Sequence, residues 1–198
     1  NISKELNEKR SKREKLTNDL SKNRQNSIKK LENLIQKELK KLFLDGLNIE
    51  ITNKNLDEMG TDKVSIALKN SPLENISSGE FNRLRLAILS VKADIFMDKR
   101  GILILDEIDA NLSGEESEAI AILLKKLSTV YQVIAISHQP HLPCIADMHL
   151  LVYKNNGMSF SQALNTDESI NEIARMISGS EITKEALEYA RKKVLSKK

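Results

Sequence analysis

The 198-residue sequence predicts an α/β fold, a parallel sheet flanked by helices and entered through one long helix. Three observations carry that reading. No Gly or Pro occurs before Gly46, and apolar side chains recur through that stretch at helical spacing. Farther along, "GILILDE" and "YQVIAIS" are short apolar runs of strand type with a helical pattern between them. Strand, helix and strand in that order imply a right-handed crossover and therefore parallel pairing.

In the leading segment Ile2, Leu6, Leu16, Leu20, Ile28, Leu31, Ile35 and Leu42 step mostly by three, four or their sums. Tested as a heptad seam, positions 2, 6, 9, 13, 16, 20, 23 and 27 include the polar Lys9, Arg13, Asn23 and Ser27, so the outer end is a weak coiled coil. The pattern tightens from Ile28 to Phe43. The inner half is expected to pack on a body, and the outer half either pairs with a partner helix or stands exposed. The expected division is 1–43 for this arm and 44–198 for the body.

After Gly46, "LNIEIT" and "VSIAL" alternate apolar and polar residues as half-buried strands do. "KNSPLEN" reads as a loop. Leu84, Leu86, Ala87, Ile88, Leu89 and Val91 give the next helix a broad apolar face. "GILILDE" reads as a fully buried strand, followed by a helix over about 115–127 and the strand "YQVIAIS". "HLLVYKNNGMSFSQAL" predicts a hairpin turning at Asn155-Asn156-Gly157. Two helices, about 167–178 and 182–195, complete the order.

With 40% hydrophobic residues and a mass of 22.4 kDa the chain can bury one sizeable core with an appendage. Cys144 is the only cysteine, no signal-type segment opens the chain, and no apolar run approaches about 18 residues, so a cytoplasmic protein with no membrane partner is expected. Asn1 stands where Met would begin a gene product and falls inside a charged helical pattern, which suggests a piece of something longer. Net charge is +3 but uneven: residues 1–43 carry 13 Lys and Arg against 6 Asp and Glu, the remainder 18 against 22. A basic arm suits phosphate contacts, and a solvated helix face gives the same pattern.

In a parallel sheet the chemistry sits at the carboxyl ends of the strands. There "ILILDE" ends in Asp106-Glu107 and "YQVIAIS" ends in Ser137-His138. One carboxylate can hold Mg²⁺ through water and the other can orient a water for attack on a phosphate. His138 and His141 do not suggest a metal pair, because Pro140 intervenes and no third ligand is near in sequence. "ISSGE" is the other concentration of polar residues. Ser77 and Glu80 have capping-box spacing, as do Ser113 and Glu116. A capping box leaves Gly79 unexplained, and a small-residue entry to a helix also presents bare amides to an anion.

In order, "ISSGE", "ILILDEIDANLSG" and "AISHQP" resemble the signature motif, Walker B strand, D-loop and switch histidine of the ABC-type ATPase superfamily. Within it the chain resembles the C-terminal part of the RecN family of bacterial DNA repair proteins, relatives of the SMC proteins. "LSKNRQNSIKKLENLIQKELKKL" is similar to its returning coiled-coil arm, "SPLENISSGEFNRLRLAI" to its signature region, and "ISHQPHLPCIAD" and "INEIARMISGSEITKEALEYAR" to its switch segment and final helices. The resemblance implies the C-terminal lobe of an ABC-type ATPase head that uses ATP and Mg²⁺ in double-strand break repair. It implies DNA as a partner and a homodimer formed through ATP-engaged heads.

By the same resemblance Asp106 would hold Mg²⁺ through water, Glu107 would be the general base and His138 would sense the γ-phosphate. Ser77, Ser78, Gly79 and Glu80 would form the signature contact to ATP on the opposite head, and Asp109 would reach across that interface. Ser78 stands where the family usually has a second glycine. Nothing in the sequence matches G-x-x-x-x-G-K-[ST], so the main nucleotide cradle is expected on the N-terminal half of the same head, outside this chain. Two other readings are open: another SMC-like ATPase head, and a coiled-coil interaction module without chemistry.

Overall fold

The computed structural model describes residues 2–96, 101–110 and 112–196. Asn111, in the D-loop-like segment, and the last two residues of the basic tail lie outside the described residues. Two compact units divide the chain, Asn1–Val91 and Lys92–Lys198.

The first unit opens with α1, Ile2–Lys41. Its outer half exposes its apolar residues, Ile2 at 85% and Leu16 at 60%, whereas Ile35 and Leu39 are buried, as the tightening pattern predicts. The helix stops where Phe43 turns into the left-handed region at φ 55°, and Leu44 N–H donates back to the Leu39 carbonyl at 3.0 Å. Strands β1, Leu47–Asp57, and β2, Gly60–Leu68, form an antiparallel hairpin with Leu47 opposite Leu68 and an irregularity between Asn53 and Asp57. Both run farther toward the turn than their alternating cores suggest.

The edge of β1 would otherwise present unpaired amides, a liability in any sheet. Side chains of α1 take them: Gln36 Oε1 accepts from Leu47 N–H and Glu32 Oε2 from Ile49 N–H, each at 2.9 Å. Near the hairpin turn, buried Asp62 accepts from Ser21 Oγ at 2.6 Å and Arg24 Nη1 at 2.9 Å, while Arg24 also donates to the Met59 carbonyl at 2.8 Å. The arm and hairpin are thus clasped at two heights. A two-residue strand β3, Ser71–Pro72, and a 3₁₀ turn at Leu73–Asn75 occupy the expected loop. They lead into α2, Ser78–Phe96.

In the second unit β4, Ile102–Asp106, pairs in parallel with β5, Gln132–Ile136, through the crossover helix α3, Gly114–Leu127. A complete capping box at Ser113 and Glu116 starts α3. The short helix α4, His141–Ile145, was not anticipated; it follows Pro140 and is too short to carry a periodic pattern. The hairpin of β6, Leu150–Asn155, and β7, Met158–Ala163, turns at Asn156 and Gly157, both at positive φ as an Asn-Gly turn requires. Helices α5, Thr166–Ser178, and α6, Lys184–Leu195, close the order. Cys144 from α4 joins Ile170, Ile173, Ala174, Ala186, Ala190 and Val194 in one buried cluster.

One expectation requires correction. β4 is not fully buried: Leu105 is, but Ile102 and Ile104 are 63% and 65% exposed, and Ile134 and Ile136 of β5 are 45% and 50% exposed. Side chains alternate across a sheet, so these four isoleucines share one face, and among the described residues that face stands largely open. The apolar run correctly marks a strand with two apolar faces, and among the described residues only one of them is covered.

Candidate functional site

At the carboxyl edge of β4 and β5 the last ladder pair is Asp106 with Ile136. The next residue, Glu107, has φ 47° and donates its N–H to the Ile136 carbonyl at 3.1 Å, while Ala110 N–H returns to the Glu107 carbonyl at 3.1 Å. A left-handed backbone at a non-glycine residue is sterically costly, and such positions collect at functional sites. The turn lifts the Glu107 side chain clear of the sheet. Its Oε1 lies 3.5 Å from His138 Nε2, with the two side chains 61% and 80% exposed. Asp106, Glu107 and His138 therefore meet at one accessible rim.

Asp109, which the resemblance would have reach across an interface, has a partner within this chain. The residue is 2% exposed, and its carboxylate accepts a hydrogen bond from Ser137 Oγ. Ser137 Oγ also accepts from Gln139 N–H at 2.9 Å. Within this chain Asp109 ties the turn after β4 to the loop after β5, and that tie fixes Glu107 and His138 relative to each other. Sequence reasoning reached Ser137 only as the end of a strand, because no local pattern links it to a residue 28 positions earlier.

The ISSGE segment lies in the first unit. Ser77 and Glu80 form the capping box: Glu80 N–H donates to Ser77 Oγ at 3.2 Å, and Ser77 N–H donates to Glu80 Oε2 at 3.1 Å. Lys69 Nζ donates to Glu80 Oε1 at 2.8 Å. That contact first, and the Ser77 amide next, hold the Glu80 carboxyl down at about 2. Glu80 is thus committed to the helix start. Ser77 and Ser78 are exposed, and Gly79 sits in the first turn of α2, where Arg83 Nε donates to its carbonyl at 3.3 Å. Lys69 was missed, since a lone lysine in a loop carries no signal.

Among the described residues no group of three or more His, Cys, Asp or Glu could hold a metal ion.

No protein-family model matches the chain. Curated relatives do. It is 41% identical over 180 residues to the DNA repair protein RecN of Helicobacter pylori, covering 91% of this chain. It is 35% identical over 190 residues to the RecN of Rickettsia prowazekii, and 32% identical over 177 residues to that of Halalkalibacterium halodurans. The chain belongs to the RecN family. It matches the C-terminal part, and spans 34% of the length of the Helicobacter and Rickettsia RecN proteins and 31% of the Halalkalibacterium one.

The RecN-family chain has the fold of part of an SMC head domain. The head of Pyrococcus yayanosii Smc with its coiled coil and joint superposes with a TM-score of 0.61 at 21% identity, covering 87% of this chain and 36% of that one. The Pyrococcus furiosus head with an extended coiled coil gives 0.58 at 19%, covering 78% and 39%. Both likenesses agree with the α/β body and long leading helix expected from the sequence.

Proposed function

We propose that this chain is the C-terminal lobe of a RecN-type ATPase head in DNA double-strand break repair. It supplies the signature segment Ser77–Glu80, the Walker B pair Asp106-Glu107 and the switch residue His138 for ATP hydrolysis where two heads meet. The observation that carries the reading is the rim itself: an exposed strand-end carboxylate, a glutamate held in a left-handed turn and a histidine 3.5 Å from it, in a chain whose relatives are RecN proteins.

ATP supplies the phosphoryl group, and Mg²⁺ would neutralise the charge that develops during its transfer. Asp106 would hold the metal through water. Glu107 accepts the proton of the attacking water on its carboxylate, and the His138 ring donates an N–H toward the terminal phosphate. Ser77 and Ser78 turn their hydroxyls to the nucleotide of a second copy, which requires the Ser77 hydroxyl to give up Glu80 Oε2, 3.0 Å away. Asp109 is a positioning residue. The extra Cβ of Ser78 relative to glycine limits how closely that loop approaches phosphate.

The nucleotide cradle belongs to the N-terminal half of the head, and the uncovered isoleucine face of β4 and β5 supports a docking partner of that kind. The 198-residue chain by itself therefore neither binds nor hydrolyses ATP appreciably. Residues 1–43 serve as the returning arm, whose exposed outer leucines suit a partner helix. Among the described residues no helix is long and apolar enough to cross a membrane. The proposed place of work is on DNA in the cytoplasm.

The test is Glu107→Gln in the full-length protein. Gln keeps the size and one acceptor oxygen but cannot take the proton, so turnover falls by about 10² to 10⁴ while ATP binding persists and ATP-bound dimers accumulate. Near-normal turnover rejects the catalytic assignment.

A further inference from the structure

The charge on α1 is segregated more sharply than the composition of the arm suggests. Over its inner half the only acids are Glu32 and Glu38, and both are turned into the body. Glu32 accepts the Ile49 amide, and Glu38, 7% exposed, accepts from Ser90 Oγ at 3.2 Å. Arg24 is spent on Asp62 and the Met59 carbonyl. Lys41 reaches back to Glu38. What remains on the outside is lysine: Lys22, Lys29, Lys30, Lys37 and Lys40, all exposed.

At ~100° per residue these five fall within an arc of roughly 100°. The exposed amides Asn26 and Asn33 lie in the same arc, so the stripe reads 22, 26, 29 or 30, 33, 37, 40, the spacing of a single helix face. The arc lies opposite the apolar face that carries Ile35 and Leu39. With a rise of 1.5 Å per residue it runs for about 27 Å, the length of roughly eight base-pair steps of duplex.

We infer that this lysine stripe is a contact surface for the phosphate backbone of double-stranded DNA. The inference deepens the reading of the chain as part of a DNA repair ATPase and rests on it. Charge complementarity selects a polyanion, since five exposed cations on one face have no carboxylate among them. The burial of the opposite face selects DNA over a lipid surface. A membrane-bound basic helix inserts its apolar side, and here Ile35 and Leu39 are already buried in the first unit. Lysine ammonium groups and amide side chains on phosphates fix position without reading bases, so the contact is independent of sequence.

The experiment uses the full-length protein and a random-sequence DNA duplex, with affinity measured across a salt series. Each lost phosphate contact lowers the slope of log K against log salt by about 0.9. Lys22→Gln/Lys29→Gln/Lys30→Gln/Lys37→Gln should therefore flatten the slope by about 3 to 4, and Lys30→Gln/Lys37→Gln by about half of that. DNA-free ATPase activity should be unchanged. Gln is nearly as good a helix former as Lys, so circular dichroism should not change. Lys63→Gln/Lys154→Gln/Lys184→Gln/Lys192→Gln removes the same net charge elsewhere and should change the slope by less than about one contact's worth. Equal effects of the two quadruple variants, or none from the stripe variant while wild type binds DNA, overturn the stripe and leave the ATPase reading standing. Loss of binding to phosphatidylglycerol vesicles with DNA binding intact overturns it too. A wild-type protein that does not bind DNA overturns both.

Discussion

Replacing the two exposed isoleucines of β4 should have opposite consequences in two contexts. Ile102 and Ile104 are 63% and 65% exposed in this chain, and Ile134 and Ile136 add two half-exposed neighbours on the same face. Full burial of an isoleucine side chain is worth about 2 kcal/mol, so covering what these four leave open is worth roughly 4 kcal/mol. Ile102→Thr/Ile104→Thr removes about half of that gain and places two hydroxyls under whatever covers the face, at a further cost of about 1 kcal/mol or more each if unpaired. In the full-length protein, urea unfolding should show a loss of about 3 kcal/mol or more. In the 198-residue chain alone the same sites face water, so the change should stay within ~0.5 kcal/mol, and binding of a hydrophobic dye should fall. An equal loss in both contexts, or none in the full-length protein, would refute the claim that the rest of the head covers this face.

Glu107→Gly should raise stability while abolishing turnover: relief of the left-handed backbone at φ 47° is worth about 1 kcal/mol, a rise of roughly 2–4 °C in melting temperature for a chain this size, read by calorimetry. Asp62→Ala strips Arg24 and Ser21 of their shared acceptor, so hydrogen exchange in β2 and in the middle of α1 should quicken while the rim is untouched. For Glu80 the folded value of about 2 lies below the ordinary 4.5, so its contribution is present above pH 4.5 and disappears as pH falls toward 2. The gap between wild type and Glu80→Gln, ~1 kcal/mol for a partly solvated pair, should close over that window in acid unfolding curves. Ser137→Ala should lower turnover in the full-length protein with ATP binding retained, because it frees Asp109 and slackens the loop that carries His138.

Local chemistry was legible in the sequence wherever a residue acts on near neighbours. The period of α1, the Asn156-Gly157 turn and the capping boxes at Ser77 and Ser113 depend on residues within about four positions of one another. The parallel pairing of β4 and β5 was legible too, since a crossover of one hand permits little else. The remainder depends on long-range contacts that leave no periodic trace. Asp62 sits 41 residues from Ser21, and Asp109 28 from Ser137, and each is a common residue in an ordinary setting. Burial was misread for a different reason. An apolar strand reports that both faces are to be covered, not that the same chain covers them. That Asp106, Glu107 and His138 share one strand edge follows from the order of the two strands, whereas the direction of the Asp109 side chain could come only from the fold.

The arrangement also ties assembly to chemistry. Ladder partners in a parallel pair share a face, and alternate residues return to it, so Asp106 lies on the side of the sheet that carries Ile104, Ile134 and Ile136. Any segment that buries the isoleucines must run up to the Asp106 carboxylate. Glu107 and His138, by contrast, are set by the left-handed turn and by the Asp109 to Ser137 tie, both internal to this lobe. If Asp106 holds the metal as proposed, its carboxylate therefore awaits whatever covers the isoleucines, while Glu107 and His138, the proposed base and switch residue, are positioned beforehand. It follows that a substitution weakening the isoleucine contact should impair nucleotide binding before it impairs the hydrolytic step of whatever ATP remains bound. A variant of the full-length protein at Ile104 with normal ATP affinity but a slowed single-turnover rate would contradict this ordering.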